Sequence, residues 1–251
     1  MTATEAGFEM RTVAHLLRPW GRRARDLDEL REGIASAPDE VLFHHTVQYG
    51  LRDPGAEALG PDDISAWVSG VVQDAETAER ISFAVQTQNA SAGAVRPAIV
   101  AALDTVPAKR RAERAVPEGA EFVFLSGVSL VYPTGVTVQD AVQAMEVLLG
   151  SDPGVWFLHL VEEPWYQGGA SLLDWLKAGG ADRAVALLQE AAATGLPIEK
   201  TRAKLTRRWR QRQIARRLAE ATTMPEDERR DAARDAIARL VRRRTRTGPG
   251  T

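Results

Sequence analysis

The sequence contains no cysteine, and that absence excludes several classes of site. Without a single thiol among 251 residues, the chain can form no disulfide, thiolate-bound zinc site or iron–sulfur cluster, and it has no cysteine nucleophile. It also lacks a run of about 18 apolar residues, which a membrane span needs, and an apolar segment of signal-peptide length near its N-terminus. These absences predict a soluble cytoplasmic protein that does not associate with membranes.

The familiar catalytic motifs are missing as well. The sequence has no Gly-x-Ser-x-Gly, no glycine-rich phosphate loop, no dinucleotide-binding fingerprint and no His-Glu-x-x-His, each of which carries a defined chemistry. A His–Asp–Arg constellation assembled from distant positions remains open. The balance favours a protein that is not an enzyme, and no cofactor is predicted.

Charge is distributed unevenly, although the net charge is only −2. Residues 200–246 carry 17 Lys or Arg and 6 Asp or Glu, a net +11, which leaves −13 for the remainder. Such a basic tail either packs on the acidic body or binds a polyanion. The tail matches no helix-turn-helix, zinc-finger or RNA-binding signature, so nucleic acid is the weaker partner. The candidate polyanion contacts are Arg207, Arg208, Arg210, Arg212, Arg216 and Arg217.

A weak internal repeat organises most of the chain. Residues 8–45 and 122–159 align without a gap and are identical at nine positions, where average residue usage gives roughly two or three. The identical pairs are Phe8/Phe122, Leu16/Leu130, Pro19/Pro133, Gly21/Gly135, Asp26/Asp140, Glu32/Glu146, Val41/Val155, Phe43/Phe157 and His45/His159. The pattern predicts a duplication.

Local patterns predict the same elements in each copy. A strand-like alternation runs from Phe8 to Leu16 and from Phe122 to Val131, and a Pro-x-Gly sequence then breaks each strand. The second strand is apolar on both faces, which predicts a central, covered position. Two helices follow in each copy.

The expected fold is mainly α (α+β), an internally duplicated strand–helix–helix unit with a small central sheet and C-terminal helices. The predicted divisions are a first repeat at 1–107, a linker at 108–119, a second repeat at 120–196 and a basic helical tail at 197–251.

Six short motifs stand out in the first half: Phe8-x-Met10, Pro19-x-Gly21, Leu27-x-x-Leu30, His45-Thr46, Leu51-Arg52 and Asp62-Asp63-Ile64-Ser65-Ala66-Trp67. They are similar to the H-T…L-R…N-D-F-A-x-W pattern of a bacterial domain family of unknown function, which the chain resembles. Phe122-x-Phe124, Pro133-Thr134-Gly135 and His159 resemble its second half. Asp62 and Ile64 depart from the Asn and Phe of the pattern, and the second copy lacks the His-Thr and Asn-Asp elements. Genes of the family often lie beside trehalose-synthase-type glycosyltransferases, so the resemblance implies a link to carbohydrate metabolism and a glycosyltransferase or other protein as a partner.

Six residues are candidates for binding a ligand, each with a plain structural alternative. Arg52 either binds an anionic ligand or pairs with Asp63, and Asp63 is either a functional carboxylate or part of an acidic helix start. Trp67 either stacks on a sugar or belongs to the core. Each histidine is either a ligand contact or a buried group bonded to a carbonyl or carboxylate. The full set is His45, Thr46, Arg52, Asp63, Trp67 and His159.

Metal binding has weak support. His159 and Glu163 are four residues apart on one helical face, a spacing that can chelate a metal ion, but no second histidine lies at ligand spacing. The leading hypothesis is therefore a non-catalytic ligand-binding or regulatory protein. The alternatives are an enzyme that acts on a sugar or phosphate compound through His45 and Asp63, and a polyanion-binding protein that uses the tail.

Overall fold

A computed structural model describes residues 7–48, 62–88, 90–113, 115–167, 170–192 and 198–223, with side chains at 200–214 in the last range. The chain forms two compact units, residues 1–202 and 203–251. Both predicted repeats and the predicted linker fall in the first unit. The finer division into repeats, linker and tail stays a prediction.

The fold is mainly helical with one small antiparallel sheet, which confirms the predicted α+β class. The strands are β1 (Phe8–Ala24) and β2 (Phe122–Val138). Helices of the first half are α1 (Leu27–Ser36), α2 (Asp39–Phe43), α3 (Asp63–Trp67), α4 (Ala75–Gln88), α5 (Ala92–Asp104) and α6 (Ala108–Ala112). Those after β2 are α7 (Ala141–Gly150), α8 (Pro153–Phe157), α9 (Glu163–Tyr166), α10 (Leu172–Ala178), α11 (Asp182–Ala192) and α12 (Ile198–Thr223). Within the described ranges, three π-helical turns extend helices: π1 (His44–Gln48), π2 (Val68–Val72) and π3 (Leu158–Glu162). Among the helices in the described ranges, none is both long and apolar enough to cross a bilayer.

The two strands pair with each other along most of their length, and neither ends where the sequence predicts. The expectation that Pro-x-Gly would break each strand is wrong. Instead, the pairing register of the two strands shifts at two places: between Pro19 and Arg23, and where Arg11 faces Pro133. Each strand continues beyond its shift. Gly21 and Gly135 take positive φ angles of 89° and 76°, a conformation open to glycine at little cost. Each Pro-x-Gly sequence therefore forms a bulge.

The expectation of a central, doubly covered second strand is also wrong. Among the described strands, β2 has β1 as its only neighbour in the sheet, and Val131 and Tyr132 are 43% and 49% exposed. Apolar residues on both faces of β2 therefore do not indicate burial on both faces. They make an open face of the two-stranded ribbon apolar.

The elements of the two halves recur at a constant offset of 114 residues, which separates the first residues of β1 and β2, of α1 and α7, and of α2 and α8. Asp26 and Asp140 cap equivalent helices, because in each case one carboxylate oxygen accepts from the backbone N–H groups two and three residues later. The matching bounds support the hypothesis of a duplication.

A pseudo-twofold axis passes through the middle of the ribbon. His15 and Ser129 occupy equivalent positions in the two halves, and they are also cross-strand partners. The axis that exchanges the two halves therefore exchanges these two residues with each other. Phe43 and Phe157, another equivalent pair, meet in the core with ring centroids 5.8 Å apart. The sheet and the core therefore join the two halves around a common axis.

The predicted linker at 108–119 is structured and bonded to the first half. It contains α6, in which Arg111 donates to Asp28 Oδ1 at 2.8 Å and to Asp104 Oδ1 at 3.2 Å. Val116 N–H donates to the carbonyl of Arg25 at 2.7 Å. These contacts hold the predicted linker beside the start of α1. The chain then continues from the linker directly into β2.

The contact between α1 and the ribbon predicts a specific steric sensitivity. A Cβ at Gly33 would overlap the Phe124 ring, and Phe124 is fully buried. We expect Gly33→Ala to lower the free energy of unfolding by about 1–3 kcal/mol, because overpacking outweighs a helix-propensity gain of about 1 kcal/mol. Urea denaturation measures the change. Gly93→Ala is the matched control, since its Cβ would meet nothing closer than 3.9 Å; equal stability changes in the two variants would contradict the packing argument.

Candidate functional site

His45 lies in π1, where the hydrogen bonding of α2 widens by one residue. Such π-helical turns are rare and occur frequently at functional sites. The side chain is 1% exposed, and both of its ring nitrogens have partners. Leu125 N–H donates to Nε2 at 2.9 Å, so Nε2 carries no proton. Nδ1 must then carry it and donates to Asp63 Oδ2 at 2.7 Å.

His159, at the equivalent position in π3, repeats the arrangement with the halves exchanged. Arg11 N–H donates to its Nε2 at 3.1 Å, and its Nδ1 donates to Glu163 Oε2 at 2.9 Å. Arg11 and Leu125 are themselves equivalent positions on β1 and β2. Each histidine therefore binds the strand that belongs to the other half. We call these two sets of bonds the crossed histidine bonds.

The crossed histidine bonds also account for several other residues that the two halves share. Pro19 pairs with Leu125 across the two strands, and Pro133 pairs with Arg11. Each bulge therefore lies opposite a residue whose backbone N–H donates a hydrogen bond to a histidine. Phe122 packs against His45 with ring centroids 4.8 Å apart. In the same way Phe8 packs against His159 at 5.4 Å. These identical pairs therefore belong to a single interaction that occurs once in each half.

Metal binding at either histidine conflicts with this hydrogen bonding. Ligand atoms of His44, His45 and Asp63 lie within 4.8 Å of one another, close enough to suggest a cation site. A metal ion on Nδ1 of His45, however, would force the remaining proton onto Nε2, where the Leu125 N–H already points. Two donors would then face each other. The same conflict applies to the weak candidate pair His159 and Glu163.

The carboxylate partners of the two histidines differ in one respect. Glu163 uses both oxygens, since Arg11 Nη2 donates to Oε1 at 2.7 Å while His159 and the Leu172 N–H share Oε2. Asp63 uses only Oδ2, and its buried Oδ1 has no hydrogen-bond partner among the described residues. The equivalent of Arg11 is Leu125, which offers no charge. The first half, as far as it is described, therefore lacks the cation that completes the second.

Beside Asp63, a second set of polar groups is incomplete in the same half. Gln48 in π1 is fully buried; its Oε1 contacts His44 Nδ1 at 3.0 Å, and the described residues offer its Nε2 no partner. The amide packs against Gly127, where a Cβ would approach Oε1 to 2.5 Å. The flanking hydroxyls of Ser126 and Ser129 are also buried and unpaired. Within the described part of the chain, these three atoms and Asp63 Oδ1 are the buried side-chain atoms without a partner.

The equivalent groups of the second half are paired. Glu162 stands at the position of Gln48, and His15 stands at that of Ser129. Glu162 Oε2 contacts His15 Nε2 at 2.9 Å, and the His15 ring packs on Phe157. Sequence reasoning missed Gln48, Glu162 and His15. The 114-residue offset, extended three residues beyond the aligned ranges, contains the signal, because both members of the His15–Glu162 pair differ from their counterparts Ser129 and Gln48.

The remaining predicted residues have structural roles where they are described. Thr46 Oγ1 donates to the Leu42 carbonyl at 2.8 Å. Trp67 is 9% exposed and donates from Nε1 to the Ala120 carbonyl at 2.8 Å, which ties α3 to the start of β2. Arg52 lies outside the described residues. On α12, Arg207, Arg210 and Arg212 are exposed and Arg208 is half-buried, while the side chains of Arg216 and Arg217 lie outside the description.

Asp62, next to Asp63, is a helix cap with an unusual environment. Its Oδ1 accepts from Ser65 N–H at 2.6 Å and its Oδ2 from Ser65 Oγ at 2.7 Å. The residue is fully buried, and the loss of solvation raises the pKa of its carboxyl to about 6, despite the opposing effect of the bonds from Ser65. Asp62 is therefore mostly ionised at neutral pH, and keeping this charge buried lowers the stability of the fold.

Comparison with known proteins shows the family. Residues 5–209 match the profile of the Family of unknown function (DUF5752), and the chain belongs to that family. No curated protein matches it. A solved structure, described as the structure of OrfY from Thermoproteus tenax, is similar in fold, with a TM-score of 0.67 and 24% sequence identity over 81% of this chain and 94% of that one.

The crossed histidine bonds predict defined tautomers. In long-range ¹H–¹⁵N correlation spectra at neutral pH, His45 and His159 should each show a protonated Nδ1 and a bare Nε2, because a backbone N–H occupies Nε2. His15 is the internal control: its Nε2 faces Glu162 and should be protonated. The chain has four histidines, so His15→Gln and His44→Gln variants assist the assignment. A protonated Nε2 on His45 would contradict the arrangement.

The buried Asp62 predicts a pH-dependent gain from Asp62→Asn. A carboxyl whose folded pKa lies above its unfolded value destabilises the fold as pH rises through that interval, here from the ordinary 3.8 to about 6. Asparagine caps about as well as aspartate and carries no charge. We expect the variant to be more stable by up to about 3 kcal/mol above about pH 7 and to approach the parent chain near pH 4. Chemical denaturation across that range measures this.

Asp140→Asn is the matched control, because Asp140 caps α7 at an exposed helix end. There the exchange should alter stability by only a few tenths of a kcal/mol. A pH-independent effect of Asp62→Asn would show that the charge of Asp62 is not what destabilises the fold.

Proposed function

We propose that this protein is a non-catalytic, ligand-binding regulatory protein whose site lies in the first half, between π1, α3 and β2. One observation carries the proposal: Asp63 Oδ1 and Gln48 Nε2 are buried without a partner among the described residues, whereas Glu163 and Glu162 in the second half are bonded. Buried polar groups in folded proteins are almost always paired. A ligand that bonds both atoms would complete the first half as Arg11 and His15 complete the second.

The unpaired atoms define the chemistry of that ligand. Asp63 Oδ1 can only accept a hydrogen bond, Gln48 Nε2 can only donate one, and the hydroxyl of Ser129, on the same face of β2 as Gly127, can do both. A ligand must therefore offer donors and acceptors at short spacing, as a polyhydroxy compound does. An unpaired buried carboxylate repels an anion. A neutral sugar consequently fits better than the small anionic ligand that the sequence suggested.

Binding fits the site better than catalysis. His45 has no free lone pair, since Nε2 accepts from Leu125 and Nδ1 carries a proton toward Asp63. A general base must reach the proton that it abstracts, and His45 is held away from that role by two bonds. An enzyme acting through His45 and Asp63 would have to break the bonds that join the two halves.

The biological setting is part of the proposal. The resemblance noted in the sequence associates such domains with bacterial trehalose-synthase-type glycosyltransferases. A sugar-binding protein in the cytoplasm that reports sugar availability to such an enzyme suits that association. Polyanion binding through the tail is the alternative, favoured by the exposure of Arg207, Arg210 and Arg212 on α12.

The test is a thermal-shift titration with trehalose and glucose at millimolar concentration, with glucose 6-phosphate as the anionic comparison. We expect a neutral sugar to raise the Tm of the parent chain. In Asp63→Asn the amide oxygen can still accept from His45, but the free acceptor becomes a donor. That variant should remain folded and lose at least tenfold in sugar affinity, because a buried hydrogen bond to a charged group is worth about 1.5–3 kcal/mol.

Glu163→Gln is the matched control in the second half. It weakens the ion pair with Arg11 and should lower the Tm without changing the sugar-induced shift. Native mass spectrometry of the chain as purified provides a second measurement, since a retained ligand adds mass that denaturation removes. A Tm that no sugar changes, together with a bare native mass, would contradict the proposal.

A further inference from the structure

The two halves differ in charge as well as in hydrogen bonding. In the second half, a guanidinium bonds the carboxylate oxygen that the histidine does not use, since Arg11 Nη2 donates to Glu163 Oε1 at 2.7 Å. The residue equivalent to Arg11 in the first half is Leu125. Asp63 Oδ1 accordingly has no partner among the described residues. The group that the first half lacks at this oxygen is therefore a cation.

Negative charge accumulates where α3 begins. Asp62, next to Asp63, is mostly ionised at neutral pH, because its pKa is about 6; burial raises this pKa most, and the charge of Asp63 raises it further. The ion-pair partner of Asp63 in the described chain is His45, whose ring is neutral because Nε2 accepts from the Leu125 N–H. Within the described ranges, no lysine or arginine pairs with either aspartate.

Asp63 and Gln48 lie close enough for one small ligand to contact both, because His44 is next to each of them. His44 Nδ1 contacts Gln48 Oε1 at 3.0 Å, and ligand-type atoms of His44 and Asp63 are within 4.8 Å of each other. The Asp63 side chain is 21% exposed, so it is accessible from solvent on one side. Gln48 is fully buried, and its unpaired Nε2 is a donor. Beside its cationic group, the ligand must therefore carry an acceptor such as a hydroxyl.

We infer that the ligand of this site is a protonated amine with neighbouring hydroxyl groups, as in an amino sugar, and that its ammonium group bonds Asp63 Oδ1. The inference rests on the proposed binding site and names the class of ligand that the site takes. A buried carboxylate without a counter-ion destabilises the structure around it. A hydrogen bond between charged groups is shorter than a neutral one and about twice as strong. A neutral hydroxyl can also bond Asp63, but it leaves the negative charge uncompensated.

The neutral polar groups of the site favour an amino sugar over a simple amine. Ser129 lies on the same face of β2 as Gly127, against which the Gln48 amide packs. The buried hydroxyl of Ser129, like Gln48 Nε2, has no partner among the described residues. A simple amine or a guanidinium ion would bond Asp63 and leave these groups unpaired, whereas the hydroxyls of a sugar ring can pair with them.

Isothermal titration calorimetry of the full chain with three related sugars tests the inference. Glucosamine carries an ammonium group, glucose has a hydroxyl at the same carbon, and N-acetylglucosamine keeps the nitrogen without its charge. Near neutral pH, we expect glucosamine to bind the parent chain at least about tenfold more tightly than either neutral sugar, because only its bond to Asp63 is charged at both ends. Asp63→Asn should remove this preference, since the amide has no charge to compensate.

Leu125→Arg is a second test. The variant places an arginine at the position equivalent to Arg11, where its guanidinium can bond Asp63 Oδ1 as Arg11 bonds Glu163. We expect a higher Tm than that of the parent chain and at least about tenfold weaker binding of glucosamine. Leu125→Met is the matched control, because it extends the side chain without adding charge, and it should bind glucosamine as the parent chain does.

The outcomes separate this inference from the proposed function. Equal affinity for glucosamine and glucose would overturn the inference and leave the proposed sugar site in place, whereas binding of none of the three sugars would overturn both. Full glucosamine affinity in folded Leu125→Arg would show that the ammonium group binds away from Asp63, and would also overturn the inference. If Leu125→Arg fails to fold, the comparison of Asp63→Asn with the parent chain decides.

Discussion

The crossed histidine bonds are the constraint on which the arrangement of the two halves depends. Each imidazole joins a carboxylate of its own half to a backbone N–H on the strand of the other half, so neither half completes its own hydrogen bonding. Breaking one such set would leave a buried N–H and a buried carboxylate unpaired, and unpaired buried groups cost far more than paired ones contribute. The register and the bulge positions fit this arrangement, and Pro19, Gly21, Phe8, His45 and their equivalents in the second half all lie at or next to it.

The departure from symmetry is as informative as the symmetry itself. In the second half, Arg11 and His159 both bond Glu163, and His15 bonds Glu162. In the first half, Leu125, Ser129 and Gln48 occupy the corresponding positions, and Asp63 is the carboxylate that accepts from the histidine. Buried polar atoms there have no hydrogen-bond partner among the described residues. A repeat that only supported the fold would be expected to satisfy itself in both copies. The second half therefore shows which partners the first half lacks among the described residues, and the proposed ligand would supply them.

Local signals in the sequence predicted local structure well and long-range structure poorly. The strand starts at Phe8 and Phe122 and the two helices after each strand lie where the sequence patterns predict them, because such patterns depend on neighbours within a few residues. The breaks expected at Pro19 and Pro133 are wrong, since a strand tolerates such residues when its partner has room for a bulge, and only the pairing reveals that. The same limit applies to the site. His45 and Asp63 were candidates because of the internal repeat and the family pattern, whereas the partners His15 and Glu162 are 147 residues apart and only the fold shows that they meet.

The crossing of the two halves also constrains how the chain is made. Arg11 meets its histidine across 148 residues and Leu125 across 80, so the first strand leaves the ribosome long before its partner exists. Contacts of such high sequence separation slow folding and expose unpaired strand edges in the meantime. During synthesis β1 can therefore pair with β2, and Arg11 with His159, only after those later residues have been made. Until then the paired form of the first strand does not exist, and its backbone groups depend on water or on temporary partners.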